Sequence, residues 1–119
     1  MSVTLKLYAK ERKQELLGSI KKGMERATLI VENEAKRNVS QTGGRHPQVQ
    51  TGELWSSISS RVASKGNDIT GEVGTNVEYG KHLEFGTIRM PAYSWLFPAV
   101  ESKKDEIKEA LKGHRFIVG

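Results

Sequence analysis

The chain has 119 residues, 36% hydrophobic and 28% charged, with no cysteine and a formal net charge of +5. Such a length predicts one domain around one modest core, and the missing cysteines exclude a disulfide scaffold and thiolate metal sites. Apolar runs stop at three residues, as at Leu29-Ile30-Val31, so neither a bilayer span nor a secretion signal is expected, and a reducing cytoplasm is the default compartment.

Residues 2–8 place Val3, Leu5 and Leu7 on one side and Thr4, Lys6 and Tyr8 on the other, the period of a half-buried strand, short enough for a sheet edge. From about Lys10 to Val39 the period changes. Leu16, Ile20, Met24, Ala27, Val31 and Ala35 recur every three or four positions, which marks the buried stripe of a long helix. Gly18 and Gly23 each cost about 1 kcal/mol against Ala in a helix, so a break near Gly18 is predicted, with Ser19 capping a main helix over residues 19–38.

Residues 40–50 combine a glycine pair, a proline and polar side chains, the composition of a mobile loop. Thr51 to Trp55 reads as a tight turn or a single helical turn. Alternation resumes at Ile58, Ser60 and Val62, and again at Ile69, Gly71 and Val73 across Lys65-Gly66-Asn67-Asp68, so residues 57–76 are predicted to form an antiparallel hairpin. Residues 77–97 crowd apolar and aromatic side chains among Gly80, Gly86 and Pro91 with no single period, and are predicted to be an irregular connection. Pro98 suits the start of a helix carrying Ala99, Val100, Ile107, Ala110 and Leu111, and Gly113 suits its end. Residues 115–118 fit either a last short strand or a frayed tail. The expected fold is therefore α+β: a small antiparallel sheet, made of the hairpin and the N-terminal strand, packed against a long N-terminal helix and a C-terminal helix.

The basic balance is uneven. Residues 1–39 carry +4, residues 40–97 carry 0 and residues 98–119 carry +1, with cations interleaved among acids, as in Lys10-Glu11-Arg12-Lys13-Gln14-Glu15. Mixed charge of this kind marks a solvated helix face more than a phosphate-binding one.

Reactive constellations are sparse. His46, His82 and His114 are far apart in sequence, and His82 with Glu84 on one face of an extended stretch supplies two ligands where a metal site needs three or four. Neither a Gly-x-Ser-x-Gly elbow nor a Gly-x-x-x-x-Gly-Lys phosphate loop is present. Glu53, Glu78 and Glu84 are the carboxylates from which an acid–base pair would have to come. No catalytic, cofactor-binding or metal site is expected. Tyr79, Phe85, Tyr93, Trp95 and Phe97 instead fit a core or a subunit interface, where aromatic residues are enriched.

The order of several segments resembles a known family. Thr51-Gly52-Glu53-Leu54-Trp55-Ser56-Ser57-Ile58, then Val73-Gly74-Thr75-Asn76-Val77-Glu78-Tyr79-Gly80, Leu83-Glu84-Phe85-Gly86-Thr87, Met90-Pro91-Ala92 and Leu96-Phe97-Pro98-Ala99 are similar to the tail-completion, or head–tail joining, proteins of long-tailed bacteriophages and prophages. Asn33-Glu34-Ala35-Lys36-Arg37-Asn38 adds to the likeness, which extends over residues 19–112. The resemblance implies a small non-enzymatic protein of the virion neck that forms a ring, of about six copies in the family, between tail tube and head connector. Its implied partners are copies of itself, the tail tube or tail terminator, and the connector. No membrane and no specific nucleic-acid recognition are implied. Tyr79, His82, Phe85 and Trp95 are the interface candidates, and replacing Trp95 is expected to impair assembly while leaving a folded monomer. The alternative is a small basic nucleic-acid-binding module, which would draw on the +4 of residues 1–39 and lose DNA affinity steeply with salt.

Overall fold

The computed structural model describes residues 1–10, 14–42, 48–89 and 91–119. In chain order the elements are β1 (Ser2–Tyr8), α1 (Gln14–Thr42), α2 (Gln48–Ser57), β2 (Ser59–Lys65), β3 (Asp68–Gly74), α3 (Glu78–Phe85), α4 (Phe97–Ser102), α5 (Lys104–Ala110) and β4 (Phe116–Val118). The fold is α+β, as its periodicities imply: a four-stranded antiparallel sheet in the order β2-β3-β1-β4, with the helices on one face.

The hairpin forms where the alternation places it. Ser59 pairs with Gly74 and Lys65 with Asp68, leaving a two-residue turn in which Gly66 adopts φ 60°, a conformation that favours glycine. Across the sheet, Val3 lies opposite Val73 and Leu7 opposite Ile69. All four are buried, so one sheet face supplies one wall of the core. β1 is not an edge strand, because residues 116–118 pair with Leu5 to Leu7 on its other side.

Helix α1 supplies the facing wall, and Leu54, Leu83, Trp95, Leu96, Ile107 and Leu111 close the core from the shorter helices and their connections. Ile20, Met24, Ala27, Val31, Ala35 and Val39 are buried, while Leu16 is exposed. The helix passes through Gly18 and Gly23 without the predicted break, and Ser19 does not cap it. Two glycines cost about 2 kcal/mol, whereas burying one Ile, Met or Val side chain returns about 1.5–3 kcal/mol, so the stripe outweighs the local propensity. Gly23 also has a packing role: a Cβ there would lie 2.5 Å from the Ala110 carbonyl oxygen, so its absence lets α1 and α5 cross closely. At 29 residues, α1 is about 43 Å long and forms the spine of a molecule 51 × 23 × 22 Å.

Other expectations change around this spine. The predicted loop over residues 40–50 is reduced, since α1 continues to Thr42 and α2 begins at Gln48; residues 43–47, which include His46, lie outside the described residues. The turn foreseen at residues 51–55 belongs to the ten-residue α2. The C-terminal helix is split at Lys103 into α4 and α5, and the Lys103 ammonium sits 3.7 Å from Glu34 and 3.3 Å from Glu106. α5 stops three residues before the expected Gly113: its last residue is Ala110, Leu111 caps it, and the left-handed conformation falls on Lys112 at φ 54°, followed by Gly113 at φ 79°, whose N–H donates to the Lys108 carbonyl at 3.1 Å.

Gly71 marks the closest approach of sheet and helix. A Cβ at this position would run into Thr28 Cγ2 and lie 2.9 Å from Met24 Sδ, both on buried residues of α1. Gly71→Ala should therefore destabilise the protein by about 1–3 kcal/mol through overpacking, read as a lower denaturant midpoint. Gly52→Ala, where nothing lies within 4 Å, should not lower it.

Candidate interface site

The segment after β3 is where the sequence lost its period, and it is built around two turns and a buried carboxyl group. The Thr75 hydroxyl oxygen accepts the Val77 N–H at 3.0 Å and meets the Ser57 hydroxyl at 2.5 Å, which fixes the exit from β3. Residues 78–85 then form α3 in place of the predicted irregular chain. Gly80, Leu83 and Glu84 are its buried residues, at the three- and four-residue spacing of a helix face.

From α3 the chain turns at Gly86, φ 77°, and comes back against the helix as residues 93–96. Glu84, only 2% exposed, uses one carboxyl oxygen to accept the Trp95 N–H at 2.9 Å and the Leu96 N–H at 2.6 Å. Around that bracket, Ser94 Oγ donates to the Glu84 carbonyl at 2.8 Å and the Tyr93 N–H to the Leu83 carbonyl at 2.7 Å. Asn38 Nδ2 of α1 donates to the Trp95 carbonyl at 3.0 Å. The Trp95 indole N–H donates to the Gly80 carbonyl at 2.9 Å. A Cβ on Gly80 would lie 2.8 Å from Leu54 Cδ1 and 3.1 Å from Trp95 Cζ2, so this glycine is what admits the ring.

These contacts sort the four candidates. Trp95 is 0% exposed and is a core residue; the expectation that it lies at an interface is corrected, because its ring fills the space between α2 and α3 and its N–H is satisfied inside the chain. Tyr79 is half-buried against the core, and burial pushes its hydroxyl above the ordinary tyrosine value of 10.0. His82 is exposed on α3, one turn from Glu78 at 3.8 Å. Phe85 is 59% exposed and meets Phe97, 40% exposed, at a ring-centroid distance of 5.9 Å. Ile88 stands fully exposed on the turn that follows. The bracket thus brings Phe85 and Phe97, twelve positions apart, into one apolar surface.

The histidine and the carboxylates singled out in the sequence lie apart. In a helix His82 and Glu84 point to different faces, and here one is exposed and the other buried. Glu53 and Glu78 are exposed while Glu84 is buried and engaged, so the three carboxyls form no acid–base pair. Among the described residues no cluster of three or more potential metal ligands occurs. The sequence reading missed Glu84 as a structural group; its only signal was an acid at the helical spacing of Gly80 and Leu83.

A family model, HK97-gp10_like, described as "Bacteriophage HK97-gp10, putative tail-component", matches residues 4–86. The chain belongs to this HK97-gp10-like family. It is accordingly a bacteriophage tail component, a structural part of the virion. No curated protein and no solved structure matches significantly. The family match spans β1 through α3, so Trp95, Phe97, α4, α5 and β4 lie beyond it. No helix among the described residues is long and apolar enough to cross a membrane.

Two measurements check this site. Trp95→Ala should cost about 3–5 kcal/mol of stability, visible as a large loss in denaturant midpoint and not as a folded, assembly-defective monomer. Because the Tyr79 hydroxyl has a raised pKa in the fold, its contribution is fully present below the unfolded value of 10.0 and is lost as pH rises through the folded value. Stability should fall in that alkaline window, and Tyr79→Phe should remove that part of the fall.

Proposed function

We propose that the protein completes the tail at the virion neck and joins it to the head connector, acting as a ring of copies of itself, six being the number that the resemblance implies. The observation that carries this reading is the Phe85–Phe97 ring pair, exposed in the isolated chain at 5.9 Å between centroids, with Ile88 exposed on the turn three residues after Phe85. Such surfaces mark contact sites between proteins, and rigid aromatic side chains are favoured anchors in them. Membership of a family of tail components supplies the setting, since a tail component works by the shape it offers its neighbours. Tyr79 and His82 flank the same helix and complete the proposed contact, while Trp95 acts behind it by holding Phe97 in place.

Electron microscopy of particles made without the protein tests the reading. Tails and filled heads should accumulate unattached, and normal infectious particles would refute it. In the same assay the double variant Phe85→Ser, Phe97→Ser should keep its fold, with stability changed by less than about 1 kcal/mol at these surface positions, yet fail to restore joined particles.

A further inference from the structure

The two edges of the sheet are not alike. β2 carries Arg61 and Lys65 among three serines and an alanine, and its one larger apolar residue, Val62, packs against the core; small and charged side chains of this kind keep an edge strand from pairing. β4 is Phe116-Ile117-Val118, with no charge inside the strand. Ile117 is 65% and Val118 48% exposed.

Its hydrogen-bonding direction is set by β1. Thr4 and Gly119 exchange both backbone bonds at 2.9 Å, and Lys6 opposite Ile117 is the next pair of that kind two residues on. Phe116 and Val118 therefore turn their N–H and C=O groups outward, and no described strand lies beyond β4.

The surroundings of this edge are cationic. On the uncovered sheet face a groove of about 680 Å³ is lined by Lys6, Lys10 and Arg115 against a single acid, Asp68, with Tyr8 and Ile117 among its apolar walls. Among the described residues none of the three cations has an acidic partner within salt-bridge distance.

We propose that β4 is an acceptor edge for an extended segment of another virion protein, one in which acidic and apolar residues alternate. This assignment rests on the reading of the chain as a joint between virion proteins. Paired with Phe116 and Val118, the segment becomes a fifth strand. Its side chains then alternate between the two faces. Those on the uncovered face lie beside the exposed Ile117, with Arg115 just before it on the chain and Lys6 opposite it one strand further on, and are acidic; those on the helical face meet the half-buried Phe116 and the exposed Val118 and are apolar. Charge complementarity sets the choice of partner more than the strength of binding. A nucleic acid would match the cations but leave the apolar edge and its backbone groups unused.

The probe is a synthetic peptide of about seven residues, an ordinary strand length, alternating glutamate and valine, added to the full chain labelled for NMR amide exchange. The Phe116 and Val118 amides should exchange at least about tenfold more slowly with peptide bound, and the Ile117 amide should not change. A peptide with lysine in place of glutamate should bind at least about tenfold more weakly, a difference of about 1.4 kcal/mol. Lys6→Glu with Arg115→Glu should reverse that preference, while Arg115→Lys should keep it. Equal affinity for the two peptides, protection on β2 in place of β4, displacement of the peptide by duplex DNA, or protection of Phe116 and Val118 that grows with protein concentration alone would each overturn the assignment. If heads and tails still stay unattached without the protein, such a result sinks the acceptor edge and leaves the joining role standing.

Discussion

The Glu84 carboxyl group and the two backbone N–H groups it accepts are the constraint on which the C-terminal third of the molecule depends. A buried acceptor of this kind is costly to leave unmet, at about 1–3 kcal/mol for each stranded donor, so the returning chain has one satisfactory register against α3. Trp95 is then carried between α2 and α3, where Gly80 leaves room for its ring and a carbonyl for its N–H. The polar bracket and the aromatic packing support each other: the indole needs the register, and the register excludes water from the hydrogen bonds.

From that bracket the exposed chemistry follows. Leu96 is buried and Phe97 begins α4 next to it, which sets the Phe97 ring against Phe85. Without the return of the chain these two aromatics would be separate side chains on separate elements. The same continuity carries α4 and α5 alongside α1, where Gly23 permits close contact, and delivers β4 to the outer side of β1. A structural tail component needs surfaces whose relative positions do not drift, and here the apolar patch and the sheet edge are tied to one spine by buried contacts.

Electrostatics are distributed in a way that position along the chain conceals. Of the +4 in residues 1–39, residues 1–13 carry +3 and the part within the long helix only +1, because acids and bases are mixed along α1, as in the Glu32–Lys36 pair at 3.9 Å. The less compensated cations are Lys6, Lys10 and Arg115, gathered from both ends of the chain onto the uncovered sheet face. Antiparallel pairing of β1 with β4 is the cause, since it brings residues about 110 positions apart to neighbouring strands.

Local pattern alone determined a good part of this protein. Period-two alternation specified β1, β2 and β3 and their inward faces, and the stripe from Ile20 to Ala35 specified α1, because both periods record which side chains must leave water. The order of short segments also identified the phage tail resemblance. Tertiary contacts decided what lacked a local period. They kept α1 unbroken through two glycines, made residues 78–85 helical, split the last helix at Lys103 and gave residues 116–118 a partner strand. They also sorted four aromatic and histidine candidates of similar local appearance into a core ring, a half-buried phenol and two exposed side chains. Burial depends on what arrives from elsewhere in the chain, and no window of neighbouring residues contains the buried glutamate that pulls Trp95 inward and leaves Phe85 and Phe97 facing out.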